Sequence, residues 1–255
     1  HLVLARLPGA PEGTKGISLF LVPRHLPEEN GDPGVPNALR VVSLEHKLGL
    51  HGAPTAVMDY AGATGFLVGA EHDGMRAMFT MMNNARLGVG AQGIGVAEAA
   101  FQHALAYAQG RRQGKPPMGE SGMIVDHPDL RRMLWGMRAQ LFAARAIALD
   151  CAMAIDRAAA TGDPAWAARA ALLTPIAKAF GTDTGVELAG TALQAQGGMG
   201  FIEESGAPQF LRDVRVTTIY EGTNGIQAMD LVARKMADDG VAARALIDEV
   251  AALAA

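Results

Sequence analysis

The stretch "TTIYEGTNGIQAMDLVARKM", Thr217 to Met236, sets a carboxylate, Glu221, between Tyr220 and Gly222 at the mouth of an apolar run with helical spacing. Capping and the helix macrodipole both favour an acid over a first helical turn, so a structural reading of Glu221 is available. A catalytic reading is available too. Three further polar motifs from distant segments accompany it: "NNARLG" (Asn83 to Gly88), "GRRQGKP" (Gly110 to Pro116) and "LQAQGGMGF" (Leu193 to Phe201).

Other chemistries find less support. The seven histidines form no HExxH motif and have no cysteine partner, and His46 and His51 fall in a strand-turn region. No GxSxG elbow surrounds Ser18, Ser43, Ser121 or Ser205. "GVGAQGIG" and "QGGMGF" have GxG spacing, but neither follows a strand in a βαβ unit, so a dinucleotide fingerprint fails its context. Taken alone, "QGGMG" reads as a turn closing a helix.

The elements that must position these residues change character along the chain. Up to about residue 70, short apolar β-branched runs ("HLVLAR", "ISLFLVP", "LRVVSL", "TAVMDY", "GFLVG") are broken by turn formers and predict antiparallel strands, with Pro27 to Asn37 a loop. Helical periodicity follows. One helix runs roughly to Arg112, with Met75, Met78, Phe79 and Met82 on one face. A second opens at Pro128 and gathers Met133, Leu134, Met137 and Leu141. A third is capped by Asp163 and Pro164, with Pro175 a candidate kink, and a fourth runs from near Gly222 to about Ala237. The fold expected is α+β, mainly α. Residues 1–70 supply part of a β domain, 71–240 a four-helix bundle, and 241–255 the start of a further helical segment.

Composition narrows the partners. At 255 residues with 49% hydrophobic and 19% charged residues, the chain can bury a sizeable core. A formal net charge of -4 with scattered Lys and Arg offers no stripe for nucleic acid. No apolar run reaches the ~18 residues of a membrane span. The single cysteine, Cys151, reads as a small buried hydrophobe in a reducing, cytoplasmic setting. The chain begins inside an apparent strand without Met and ends within an apparent helix, so native residues are expected upstream.

Together the motifs "NNARLG", "GRRQGKP", "LQAQGGMGF" and "YEGTNGIQ", with "EHKLGLHGAPTAVMDY" upstream, resemble the C-terminal half of an acyl-CoA dehydrogenase over nearly the whole chain. "DHPDLRRML", "MMNNARL" and "YEGTNGIQA" look most like the subgroup that contains 3-methylmercaptopropionyl-CoA dehydrogenase. The resemblance implies α,β-dehydrogenation of an acyl-CoA thioester. Glu221 would take the α-proton while the β-hydride passes to N5 of FAD. The developing enolate charge would be met at the thioester oxygen by the Glu221 backbone N–H and a flavin ribityl hydroxyl. Some family members carry the base beside the arginine matching Arg86; here Ala85 stands there and cannot act.

The resemblance assigns further roles. Asn83 and Arg86 match the helix that holds the CoA moiety, and Gly222 would admit the substrate. Thr223, Asn224 and Gly225 align with flavin contacts. Arg111, with Gln113 beside it, matches the arginine that holds the pyrophosphate of a neighbouring subunit's FAD, a task suited to a guanidinium fork. His127, where the family commonly has glutamine, belongs to the same flavin-facing set. Gln194, Gly197 and Gly198 match the segment meeting the adenosine diphosphate part. Gly110 stands where an acidic residue is usual, and Gly225 where glutamine is frequent. An electron-transferring flavoprotein would be the acceptor, and a homodimer or tetramer the assembly. The rival readings are an acyl-CoA oxidase and a non-catalytic flavin- or DNA-binding relative of the same fold.

Overall fold

A computed structural model describes residues 1–117, 119 and 121–254. Two compact units divide at Asn84 and Ala85, inside the first long helix.

The N-terminal unit holds seven short strands. β1 (Leu2–Arg6) and β7 (Phe66–Val68) flank β2 (Ile17–Leu21) in one antiparallel sheet, in which Leu4 faces Leu19 and Phe20 faces Leu67. β3 (His25–Pro27) pairs β4 (Pro33–Pro36), and β5 (Arg40–Leu44) pairs β6 (Ala56–Asp59). The β3–β4 hairpin corrects the loop expected over Pro27 to Asn37. Proline lacks an N–H but tolerates an edge position, and this two-stranded ribbon is all edge. Asn37 fastens the unit: its Nδ2 donates to the Pro23 and Thr64 carbonyls, and its Oδ1 accepts from the Ala38 and Thr64 N–H groups.

The C-terminal unit is helical. It takes the larger part of α1 (Gly74–Gly110), then α2 (Pro128–Thr161), α3 (Pro164–Ala195), the short α4 (Ala207–Val214), α5 (Asn224–Asp230) and α6 (Val241–Ala254). Residue 255, the last of the expected further segment, lies outside the described residues. Asp163 caps α3 as expected, its side chain accepting from the Ala165 N–H at 2.8 Å. α3 continues through a buried Pro175 as one helix. The fourth helix is shorter than its apolar pattern suggests: α5 ends at Asp230 and passes into a π-helical turn, Leu231–Lys235. Between α3 and α5 the chain forms α4 and several 3₁₀ turns, which are too short to leave a periodic pattern.

Leu134, Met137 and Leu141 enter one core cluster with Phe101, Leu188 and Val214, and Met133 is buried outside that cluster. Cys151 is buried against Leu173 and Ala177, and burial pushes its thiol pKa up. α1 and α3 cross at glycines. A Cβ on Gly90 would lie 2.8 Å from the Ala177 carbonyl oxygen, and one on Gly93 would lie 2.7 Å from that of Gly181. The "GVGAQGIG" run is therefore a close helix crossing, and the backbones of α1 and α3 stay fixed against each other.

Candidate active site

The YEG turn is built from backbone that few side chains adopt. Glu221 has φ +55° and Gly222 φ +85°. A left-handed Glu costs roughly 1–2 kcal/mol, so its surroundings must hold it there. Gln227, buried on α5, does so by donating its Nε2 to the Glu221 carbonyl at 3.2 Å and the Gly222 carbonyl at 3.1 Å. A Cβ on Gly222 would meet that Nε2 at 2.8 Å, so a side chain there would be strained in conformation and would push the Gln227 amide off the turn. The Thr223 hydroxyl caps α5 by accepting from the Ile226 N–H. The Glu221 carboxylate is half-buried and takes no hydrogen bond or ion pair among the described residues. Its own backbone N–H likewise donates to no acceptor among them.

Charged groups back this turn. Arg86 on α1 is 5% exposed and pairs with Asp230 of α5, 3% exposed, at 3.3 Å. Arg234 shares Asp230 at 3.0 Å. Lys178 on α3 is completely buried and donates to Asn224 Oδ1 at 2.9 Å. Burial pushes its ammonium down to about 8, with Asp183 and Glu221 opposing and Arg86 assisting. The Asn224 Nδ2 reaches Asp183 Oδ1 at 2.7 Å and Thr182 Oγ1 at 3.0 Å. The Tyr220 hydroxyl donates to Gln92 Oε1 on α1, and burial raises its pKa.

A second cluster lies further along α3, where the run from Lys178 to Gln194 spans roughly 24 Å of helix axis. Gln113, His127, Gln194 and Gly197 line one cleft of about 330 Å³ with Tyr107 and Gln196. His127 Nε2 lies 2.9 Å from the Gln113 carbonyl, which can only accept, so that nitrogen carries the proton. Gln196 is 4% exposed, and its Oε1 has no hydrogen-bond partner among the described residues. Gly197 has φ +59°, and a Cβ on Gly200 would overlap the Leu193 carbonyl oxygen, so this turn is backbone packed on backbone.

The structure thus gathers Arg86, Glu221, Gly222 and Asn224 in one place and Gln113, His127, Gln194 and Gly197 in another. Arg111 is exposed just past the end of α1, its carbonyl accepting from the Ile124 N–H, and Gly198 is exposed beside Gly197. Thr223 and Gly225 are exposed on the α5 turn. Asn83 is exposed three residues before Arg86 but belongs to the N-terminal unit. Lys178, Gln227, Asp230 and Gln196 were not anticipated from sequence. A lysine within an alanine-rich helix reads as a solvated charge. The signal that could have found it is its place in a run of small residues, Thr174, Gly181, Thr182 and Gly185, at helical spacing.

A helical bundle following small antiparallel sheets, with a strained YEG turn and a glutamine–glycine cleft, defines an acyl-CoA dehydrogenase type of chain. Residues 72–237 match the family of the acyl-CoA dehydrogenase C-terminal domain, and the chain belongs to that family. It is 50% identical over 94% of its length to 3-methylmercaptopropionyl-CoA dehydrogenase of Ruegeria pomeroyi, of which it spans 42%. Among solved structures it is similar to butyryl-CoA dehydrogenase from Megasphaera elsdenii (TM-score 0.72, 27% identity, 91% of this chain and 55% of that one). It is also similar to Caenorhabditis elegans ACDH-11 in complex with C11-CoA (TM-score 0.80, 26% identity, 92% and 39%).

Proposed function

We propose that this chain carries the catalytic base and an intersubunit flavin arm of an FAD-dependent acyl-CoA dehydrogenase. Glu221 removes the α-proton of an acyl-CoA thioester, and bound FAD supplies the acceptor for the β-hydride. The observation that carries this reading is a half-buried carboxylate that takes no hydrogen bond among the described residues, held at φ +55° beside Gly222 at φ +85°. A C–H beside a thioester is a weak acid, so charge must be met on the carbonyl oxygen as the proton leaves. The uncommitted Glu221 N–H supplies a donor on the same residue as the base.

The remaining residues divide by exposure. Thr223 and Gly225 face outward on the α5 turn and are available to a flavin, while Asn224 is committed to α3. Asn83, exposed on α1, would contact CoA, and Arg86 acts from behind through Asp230. The second cleft fits the adenosine diphosphate part of FAD. Exposed glycine backbone at Gly197 and Gly198 permits close approach, Gln194 and Gln113 offer amides, and the unpartnered Gln196 Oε1 can accept from an amino group. Arg111, exposed beyond α1, has the fork geometry for a pyrophosphate from a neighbouring subunit. An electron-transferring flavoprotein would be the electron acceptor, and a homodimer or tetramer the assembly.

Glu221→Gln in the full-length, flavin-loaded protein tests this reading. The yellow flavin spectrum should persist while acyl-CoA no longer bleaches it at more than a trace of the wild-type rate; bleaching near that rate would remove Glu221 as the base. Rapid reoxidation of the reduced protein by air would favour an oxidase instead. Tight, salt-sensitive DNA binding in a gel shift would favour the non-catalytic relative. A panel of acyl-CoAs that includes the methylthio substrate sorts the chain-length preference.

A further inference from the structure

A completely buried ammonium is costly unless something specific retains it. Lys178 is retained by Asn224 Oδ1 at 2.9 Å. The other end of the same amide gives Nδ2 to Thr182 Oγ1 at 3.0 Å and Asp183 Oδ1 at 2.7 Å. Lysine can only donate and a carboxylate only accept, so these partners leave the amide one orientation. All three partners sit within five residues of a single helix, α3, which the glycine crossing fixes against α1. Asn224 is the first residue of α5, a seven-residue helix too short to hold its own geometry. Glu221 and Gly222 lie directly before that opening, and Lys178 is close enough to Glu221 for the two charges to interact.

We propose that Lys178 is a positioning residue for the reaction proposed above: through the Asn224 amide it fixes the opening of α5 and so the placement of Glu221 and Gly222 against the substrate. Its link to the reaction passes through the backbone, because the hydrogen bond its ammonium makes goes to Asn224.

The test compares Lys178→Met, Asn224→Leu and the double variant in the full-length, flavin-loaded protein. Hydrogen exchange of the peptide spanning residues 219–227 should speed up about tenfold or more in each variant, with the α2 core unchanged. The limiting rate of flavin bleaching should fall about 30-fold, while the acyl-CoA concentration for half-saturation moves less than threefold. The double variant should be no worse than the poorer single one, as expected for two ends of one contact. Should Lys178→Met fail to fold, Asn224→Leu breaks the same link from the surface side, and its exchange and rate split decide the matter. Unchanged exchange over residues 219–227, or additive losses in the double variant, would overturn the proposal. Because exchange is read without turnover, this failure is separable from failure of the base assignment, which Glu221→Gln reports.

Discussion

The two clusters on α3 are built in opposite ways. Around Glu221 the polar groups are buried and tied together by side chains from α1, α3 and α5: Arg86 to Asp230, Lys178 to Asn224, and Gln227 to the turn itself. Around Gln194 the second glutamine, Gln113, and the glycines Gly197 and Gly198 are exposed while Gln196 is buried, and the shape comes from backbone, with Gly197 at positive φ and Gly200 packed on the Leu193 carbonyl. The difference teaches what each can do. A base must be held in one geometry against strain, which requires buried partners on fixed helices. A surface that receives the phosphates of another molecule needs open amides and little bulk.

The comparison can be broken in steps of decreasing size. Replacing Glu221 by Gln should lower flavin bleaching by about 10³-fold or more, the scale expected for losing a general base. Arg86→Met should destabilise the C-terminal unit by about 3 kcal/mol in urea unfolding, because Asp230 stays buried with only the largely exposed Arg234 as partner.

Lys178 should leave a pH signature of similar size. Its native pKa, about 8, lies below its unfolded value of 10.5, so below pH 8 the folded chain bears the full penalty of a buried charge. As pH rises from about 8 to 10.5 the unfolded chain holds the proton longer, and stability rises. Relative to Lys178→Met, wild type should gain roughly 3 kcal/mol across that window in urea unfolding at stepped pH.

Gly93→Ala should then cost about 1–3 kcal/mol, since its Cβ would press on the Gly181 carbonyl. The smallest effect on folding belongs to the second cluster. Gln194→Ala should change stability by less than about 0.5 kcal/mol while weakening FAD retention up to about tenfold, measured by flavin release on dilution. A large loss of stability there would mean that the cleft is structural after all.

These contrasts also explain what was readable in the sequence. The Asp163 cap, the α2 core face and the antiparallel strands follow from local rules, and each forms as expected. "YEGTNG" and "QAQGGMG" were visible as motifs because their glycines and amides are unusual side by side. The buried lysine was not, because its environment is created by a helix crossing that only the fold brings about. The β3–β4 hairpin was missed for a related reason: proline content disfavours a central strand, and nothing local says that this strand has only one neighbour. Likewise α4 and the turns around it, Gly197 to Thr218, are shaped by packing on α3 rather than by a period of their own.

The most direct test of Glu221 as base reads proton removal itself. Full-length, flavin-loaded protein is incubated without oxygen in D₂O with an acyl-CoA, and loss of the α-proton signal is followed by NMR. Wild type should exchange the α-protons into solvent, and Glu221→Gln should slow that exchange by about 10³-fold while keeping its flavin. Exchange in Glu221→Gln at close to the wild-type rate would contradict the account.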